Sequence, residues 1–277
     1  MSVGREFKKF RRWCYGHYSS IDGKQERVNS MTNQGFLNLK TWSEPELCSP
    51  DSDEKVNDAR GSDWRNKNLG SLDLSGSKLC RCDLRGTDLS QCNLKDADLR
   101  LAIYDNTTKT PDDFDIRTSG AVGPGAKLNG VYLNNTDLRG IDLRGAALLG
   151  AYLSGTDLSG AILDNVSLAG SDLRSATMRG TMCRNTRFGT CEMDLVDLRG
   201  ADLEGAALDT VQSIKGADFS FCRGLENQVD ALLARSAMEL DCWNPYTRST
   251  TRSSLESLIK NNSLPRKNAK KEQKPNS

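Results

Sequence analysis

Bulky apolar residues return at every fifth position over most of the chain, separated by polar and small residues. From Leu128 the series runs through Leu133, Leu138, Leu143, Leu148, Leu153, Leu158, Leu163, Leu168 and Leu173. It continues as Met178, Cys183, Phe188, Met193, Leu198, Leu203 and Leu208. An earlier stretch gives Trp64, Leu69, Leu74, Leu79, Leu84, Leu89, Leu94, Leu99 and Tyr104. Two places before these stand small or β-branched residues such as Ser77, Thr87, Ala126, Val131, Ala151, Ser171 and Ala201. A period of five fits neither the helical repeat of 3.6 nor the strand repeat of two. Each unit is therefore a short extended piece followed by a turn. Stacked units place one bulky residue over another, with backbone hydrogen bonds running between coils at about 4.8 Å. Glycine two places after the bulky residue, as at Gly130, Gly140, Gly150 and Gly160, suits a turn of positive φ.

Interruptions divide the chain. Residues 105–125, DNTTKTPDDFDIRTSGAVGPG, lack the pattern, and the step from Tyr104 to Leu128 is not a multiple of five; this predicts an inserted loop. Ile214 and Phe219 keep step only if one residue is added near 210–213. Beyond them Leu225, Val229, Leu232, Leu233 and Leu240 recur at helical spacing and predict an amphipathic helix over 226–240. Ser253-x-x-Glu256, ahead of Leu255, Leu258 and Ile259, reads as a capping box opening a shorter second helix. The basic residues from 261 onward predict a disordered tail. At the start, Phe7, Phe10, Trp13 and Cys14 lie at helical spacing among Arg5, Lys8, Lys9, Arg11 and Arg12. That segment reads as an anchor for an anionic surface or partner, as a transit peptide or as a solvated arm. The resulting plan is an arm and linker over 1–61, a first array over 62–104, the loop 105–125, a second array over 126–224, a helical cap over 225–260 and the tail 261–277.

Composition narrows the chemistry. Only 36% of the chain is apolar, against roughly 45–50% in globular proteins, which suits a narrow solenoid core. Residues 62–219 carry 22 acidic and 18 basic side chains, and residues 220–277 carry 6 and 10, so a mildly acidic body bears a basic end. Nine cysteines, four at inward places (Cys82, Cys92, Cys183, Cys191), favour a reducing compartment. Cys80-x-Cys82 lacks the paired spacing of a zinc site. No apolar run reaches the roughly 18 residues of a membrane span, and no apolar core of a signal peptide follows the N-terminus; the expectation is cytoplasm or plastid stroma. His17, the one histidine, lies outside the repeats, which removes Ser–His, Cys–His and metal–His arrangements from them. With no GxxxxGK phosphate loop either, the sequence predicts a non-catalytic protein without cofactor or metal.

The recurrent A(D/N)LxG unit resembles that of the pentapeptide-repeat proteins over about 64–219. The resemblance implies an all-β solenoid, a right-handed quadrilateral β-helix with four units per coil, here about seven coils and roughly 33 Å long. Residues twenty apart then share a face. Tyr132 and Tyr152 fall on one, Arg139, Arg179 and Arg199 on the next, Ile162 and Met182 on a third, and these seven are the candidate partner-binding residues. Met178, Cys183, Phe188 and Met193 replace leucine around one full coil. Exposed coil ends invite edge pairing, so Val229, Leu232 and Leu233 are candidates for a cap or for a homodimer contact. The family's DNA-mimicking branch binds gyrase, yet about 33 Å of duplex carries nearly twenty negative charges against about −4 for this body, which disfavours that alternative and nucleic-acid chemistry generally. The segments YDNTTKTPDDFD and NPYTRSTTRSSLESL resemble those of cyanobacterial and plastid members and imply a photosynthetic setting. The expected function is a protein–protein interaction scaffold, with the basic arms suited to an acidic partner or an anionic membrane surface.

Overall fold

The computed structural model describes residues 56–263. The amphipathic segment 1–20, most of the linker and the tail beyond Ser263 lie outside the described residues. Parallel bridges join residues twenty apart up the body, for example Tyr132↔Tyr152, Tyr152↔Asp172 and Asp172↔Glu192. Each rung uses two backbone hydrogen bonds: the Leu133 N–H donates to Tyr152 O at 2.8 Å, and the Tyr152 N–H donates to Val131 O at 2.8 Å. A turn follows, closed by the Thr136 N–H on Leu133 O at 3.2 Å, with Asn135 at φ 56°. Four such turns per twenty residues make a four-faced parallel β-solenoid. Its interior is the fifth-position column, in which Trp64, Leu74, Leu143, Phe188 and Phe219 are fully buried.

The small inward residues do more than fit. Thr156 Oγ1 donates to Leu133 O at 2.7 Å, Ser171 Oγ to Leu148 O at 2.8 Å and Thr186 Oγ1 to Leu163 O at 2.8 Å. A buried hydroxyl thereby meets a carbonyl of the coil below, which removes the penalty of an unpaired polar group. In places glycine leaves room for the asparagine of the turn beneath: a Cβ on Gly155 would lie 2.4 Å from Asn135 Oδ1, and one on Gly205 2.3 Å from Asn185 Oδ1.

Several boundaries differ from the pattern. Bridging begins at Asp58↔Lys78, inside the stretch read as linker. Ala59 fills the central place there and is 1% exposed; the pattern missed this unit because alanine is not bulky. Residues 105–125 remain partly in the ladder, since Lys109 bridges Asp88 and Val122 bridges Ile103. The offsets of 21 and 19 around a short 3-10 helix, Ile116–Thr118, nearly cancel. The residue added after Leu208 appears as the change from Arg187↔Ala207 to Glu192↔Ser213.

After the last bridge the chain forms α1 (Val229–Leu233), α2 (Ala237–Leu240), a small hairpin of β1 (Trp243–Asn244) and β2 (Ser249–Thr250), and α3 (Thr251–Ser263). The single helix expected over 226–240 is two. Ser236 is extended at ψ 146°, and Arg235 turns aside to donate to Val211 O at 3.1 Å and Gln212 O at 3.0 Å. The capping box lies three residues earlier than the Ser253–Glu256 reading: Thr250 Oγ1 accepts from the Ser253 N–H at 3.1 Å, and Ser253 Oγ accepts from the Thr250 N–H at 3.0 Å. A threonine–serine pair can satisfy both orphan amides as a threonine–glutamate pair does.

Candidate interaction surface

Asp and Arg two residues apart form one repeated outward motif. Asp137 accepts from Arg139 Nε at 2.8 Å and Nη2 at 2.6 Å as well as from the Arg139 N–H at 3.2 Å. The same geometry recurs at Asp63–Arg65, Asp98–Arg100, Asp142–Arg144 and Asp172–Arg174. The Arg139 guanidinium holds the Asp137 carboxyl below its ordinary range. Asp197, 5% exposed, takes Arg199 at 2.8 Å and also Arg179 from the coil before. Burial pushes its pKa up, but the hydrogen bonds from Arg199 and Arg179 outweigh that and the net direction is down. Arg139, Arg179 and Arg199 therefore share one face as ion-paired rungs. Their positive charge is neutralised locally.

Tyr132 and Tyr152 form a different kind of surface. Their rings stack with centroids 4.4 Å apart and planes 6° apart, directly enforced by the bridge between their backbones. Tyr132 remains 69% exposed and Tyr152 40%. Ile162 and Met182 are bridged to each other on a third face, between Asp142 and Asp202. The structure thus keeps the three sets of candidate residues on three faces and assembles no single site from them. Val229 and Leu232 are buried in the chain's own core, and Leu233 packs partly against it.

The inward thiols are inert in character. Cys82 donates to Ala59 O at 2.8 Å, and burial pushes its pKa up to about 12; burial likewise raises Cys191 to about 11. Among the described residues no group of three or more His, Cys, Asp or Glu is placed to hold a metal ion, and His17 lies outside them. No helix among them is long and apolar enough to cross a membrane.

Residues that the spacing did not single out close the far end of the ladder. Leu208, Ile214 and Phe219 lie in the last coil, where further N–H groups have no next coil to meet. Gln228 Oε1 accepts from the Leu208 N–H at 3.3 Å, Glu239 Oε1 from the Ile214 N–H at 2.6 Å and Ser254 Oγ from the Phe219 N–H at 3.1 Å. In the sequence these three are ordinary polar positions on helical segments. Only their lack of a role in helical amphipathicity could have raised the question.

Faces, turns and ladder define a β-solenoid that presents rigid columns of side chains. The pentapeptide-repeat family model matches eight copies over residues 68–103, 125–160 and 151–188, so the chain is similar to pentapeptide repeats over those stretches. Members of that family form right-handed β-helices and are generally structural or interaction proteins without enzymatic activity. Among solved structures, a pentapeptide repeat protein from the Arabidopsis thaliana thylakoid lumen is 28% identical, with 48% of this chain and 89% of that one covered and a TM-score of 0.35. HetL, involved in heterocyst differentiation regulation in the cyanobacterium Nostoc sp. strain PCC 7120, is 24% identical over 56% of this chain and 90% of its own, with a TM-score of 0.18. QnrB1, a plasmid-mediated fluoroquinolone resistance protein, is 22% identical over 61% and 83%, with a TM-score of 0.22. At these scores the likenesses assign no partner. Comparison with curated proteins returned no match.

Proposed function

We propose that this protein is a non-catalytic scaffold that binds another protein through a flat face of its solenoid, in a photosynthetic setting, and that its C-terminal helices cap the coil rather than dimerise it. The carrying observation is the exposed Tyr132–Tyr152 stack. Two aromatic rings already held in place present apolar area with little conformational entropy left to lose on binding. The ion-paired faces beside it supply a polar rim. The setting is supported by the sequence resemblance of YDNTTKTPDDFD and NPYTRSTTRSSLESL alone.

A partner retained by the full chain from a photosynthetic cell extract is expected to be lost with the Tyr132→Ser, Tyr152→Ser double variant, with the circular dichroism unchanged. Equal retention by both proteins removes this face from the reading. The gyrase-binding alternative is weakened by the Asp–Arg pairs, which leave no duplex-like density of free negative charge. Inhibition of gyrase supercoiling at stoichiometric protein would restore it.

Burial of Val229 and Leu232 supports the cap. In sedimentation equilibrium the 30.5 kDa chain is expected to show no dimer that depends on these residues, and Leu232→Asp is expected to loosen the C-terminal helices. A wild-type dimer that this substitution dissociates into folded monomers rules for the homodimer instead.

A further inference from the structure

The ladder lapses where the first array meets the second. Ile103 bridges Val122, and the next bridge up the body starts at Lys127↔Ala147. Among the described residues backbone hydrogen bonds join the segment 105–125 to the second array from the Lys127 N–H to Arg117 O at 2.8 Å and from the Gly125 N–H to Arg144 O at 2.9 Å. A largely apolar recess of about 60 Å³ opens there, lined by Leu101, Ile103 and Val122 from below and by Leu133, Thr136 and Leu138 of the second array, with Asn135 and the Arg139-paired Asp137 at its edge. It continues onto a shelf of about 260 Å³ bordered by Arg85, Asp137, Arg139 and Ile141.

Leu101 marks this place as unusual. Its φ is 61°, the left-handed region that a leucine enters at a steric penalty, at the turn position that Gly140, Gly160 and Gly180 fill elsewhere. Leu195 shares that conformation at φ 60° and is likewise half-buried, but it sits against the C-terminal segment: its side chain abuts Gly216, and Asn244 Nδ2 reaches its carbonyl at 3.4 Å. Leu101 instead lines an open recess. Arg81, at the turn one coil earlier with φ 62°, lines the same recess, is exposed, and makes no ion pair among the described residues. Arg85 is engaged by Asp83 and Arg139 by Asp137. The guanidinium of Arg81 is the unneutralised charge beside an apolar floor.

We propose that this cleft captures the carboxyl-terminal residue of a partner protein, its apolar side chain in the recess, its carboxylate on Arg81 and the preceding peptide on the shelf. The recess is far below the roughly 300–1,000 Å³ that encloses a small-molecule ligand, and it accommodates the branched end of one side chain. An extended chain end meets both the size and the charge, and capture of a terminal carboxylate is an established mode of peptide recognition. The inference rests on the scaffold reading and names one partner chemistry for it.

Fluorescence anisotropy of the full-length protein with a fluorescein-labelled Gly-Ser-Gly-Ser-Gly-Leu peptide tests it, in free-carboxylate and C-terminal amide forms. Saturable binding of the carboxylate form is expected, weakened about tenfold or more by amidation, as loss of a charge-assisted pair requires. Arg81→Ala and Leu101→Gly are expected to weaken it similarly; glycine is native to such turns, so Leu101→Gly should keep the melting temperature. Absence of saturation up to about 1 mM, equal binding of the amide, or unchanged binding by either variant overturns the proposal. Hexanoate competing as well as the peptide assigns the cleft to small carboxylates and overturns it too. A natural partner still captured by Arg81→Ala leaves the scaffold standing and removes the cleft alone.

Discussion

Glu239→Ala is expected to lower the unfolding free energy by about 1.5–3 kcal/mol, the range for losing a charged hydrogen-bond partner, here at a half-buried site. The Glu239 carboxylate accepts the Ile214 N–H at 2.6 Å and pairs with Arg235 Nε at 2.8 Å. Arg235 in turn donates to Val211 O and Gln212 O. Truncation therefore leaves an amide of the last coil without its acceptor and an arginine without its counter-ion. Burial pushes the pKa of Glu239 up, yet the Arg235 and Ile214 hydrogen bonds hold it below its ordinary 4.5. A carboxyl depressed in the folded state stabilises above its unfolded pKa, and that stability is lost as pH falls through the folded value. The gap between wild type and variant is thus full at neutral pH and closes in acid. Urea denaturation at pH 7 and at about pH 3 checks both parts. A gap below about 0.5 kcal/mol at pH 7 would place Glu239 among ordinary surface residues. Hydrogen exchange at the Ile214 amide is expected to quicken in the same variant.

Phe188→Ala is expected to cost more, about 3–5 kcal/mol, through lost transfer energy and the cavity left behind. Phe188 is fully buried, and so are Met178, Cys183 and Met193 around the same coil. The coil that lacks leucine keeps all its bridges to the coil beneath in register, from Asp157↔Thr177 to Asp172↔Glu192, so its unusual side chains fill the interior without disturbing that stacking. Met178→Leu, close in volume, is accordingly expected to change stability by less than about 1.5 kcal/mol. In a solenoid each coil touches only its neighbours, and the exchange of amides near Leu168 and Leu208 should quicken before those near Leu74. Thermal unfolding with residue-resolved exchange measures this. Uniform loss of protection along the whole body would contradict nearest-neighbour coupling, and a cost under about 1.5 kcal/mol would mean that the coil collapses to fill the space.

The sequence by itself determined the coil. A five-residue period, with leucine central and a small residue two before it, leaves a stacked turn-and-strand unit as the physical solution, and the buried column from Trp64 to Phe219 follows it residue by residue. The shared faces of Tyr132 with Tyr152 and of Ile162 with Met182 were legible only through the family resemblance, which implies four units per coil and so makes residues twenty apart neighbours. Ala59 escaped because the signal was bulk, and the hydroxyl bonds of Thr156 and Ser171 escaped because spacing reports size and not hydrogen bonding. Tertiary structure alone decided the rest. It brought Arg179 onto Asp197 from the coil before, left Arg81 beside the recess at Leu101, split the helix at Arg235, and set Gln228, Glu239 and Ser254 against the last open amides. Those contacts join residues 20, 25 and 35 positions apart where no repeat operates. A periodic chain announces its interior through local spacing, whereas its ends and its break are settled by contacts that occur once.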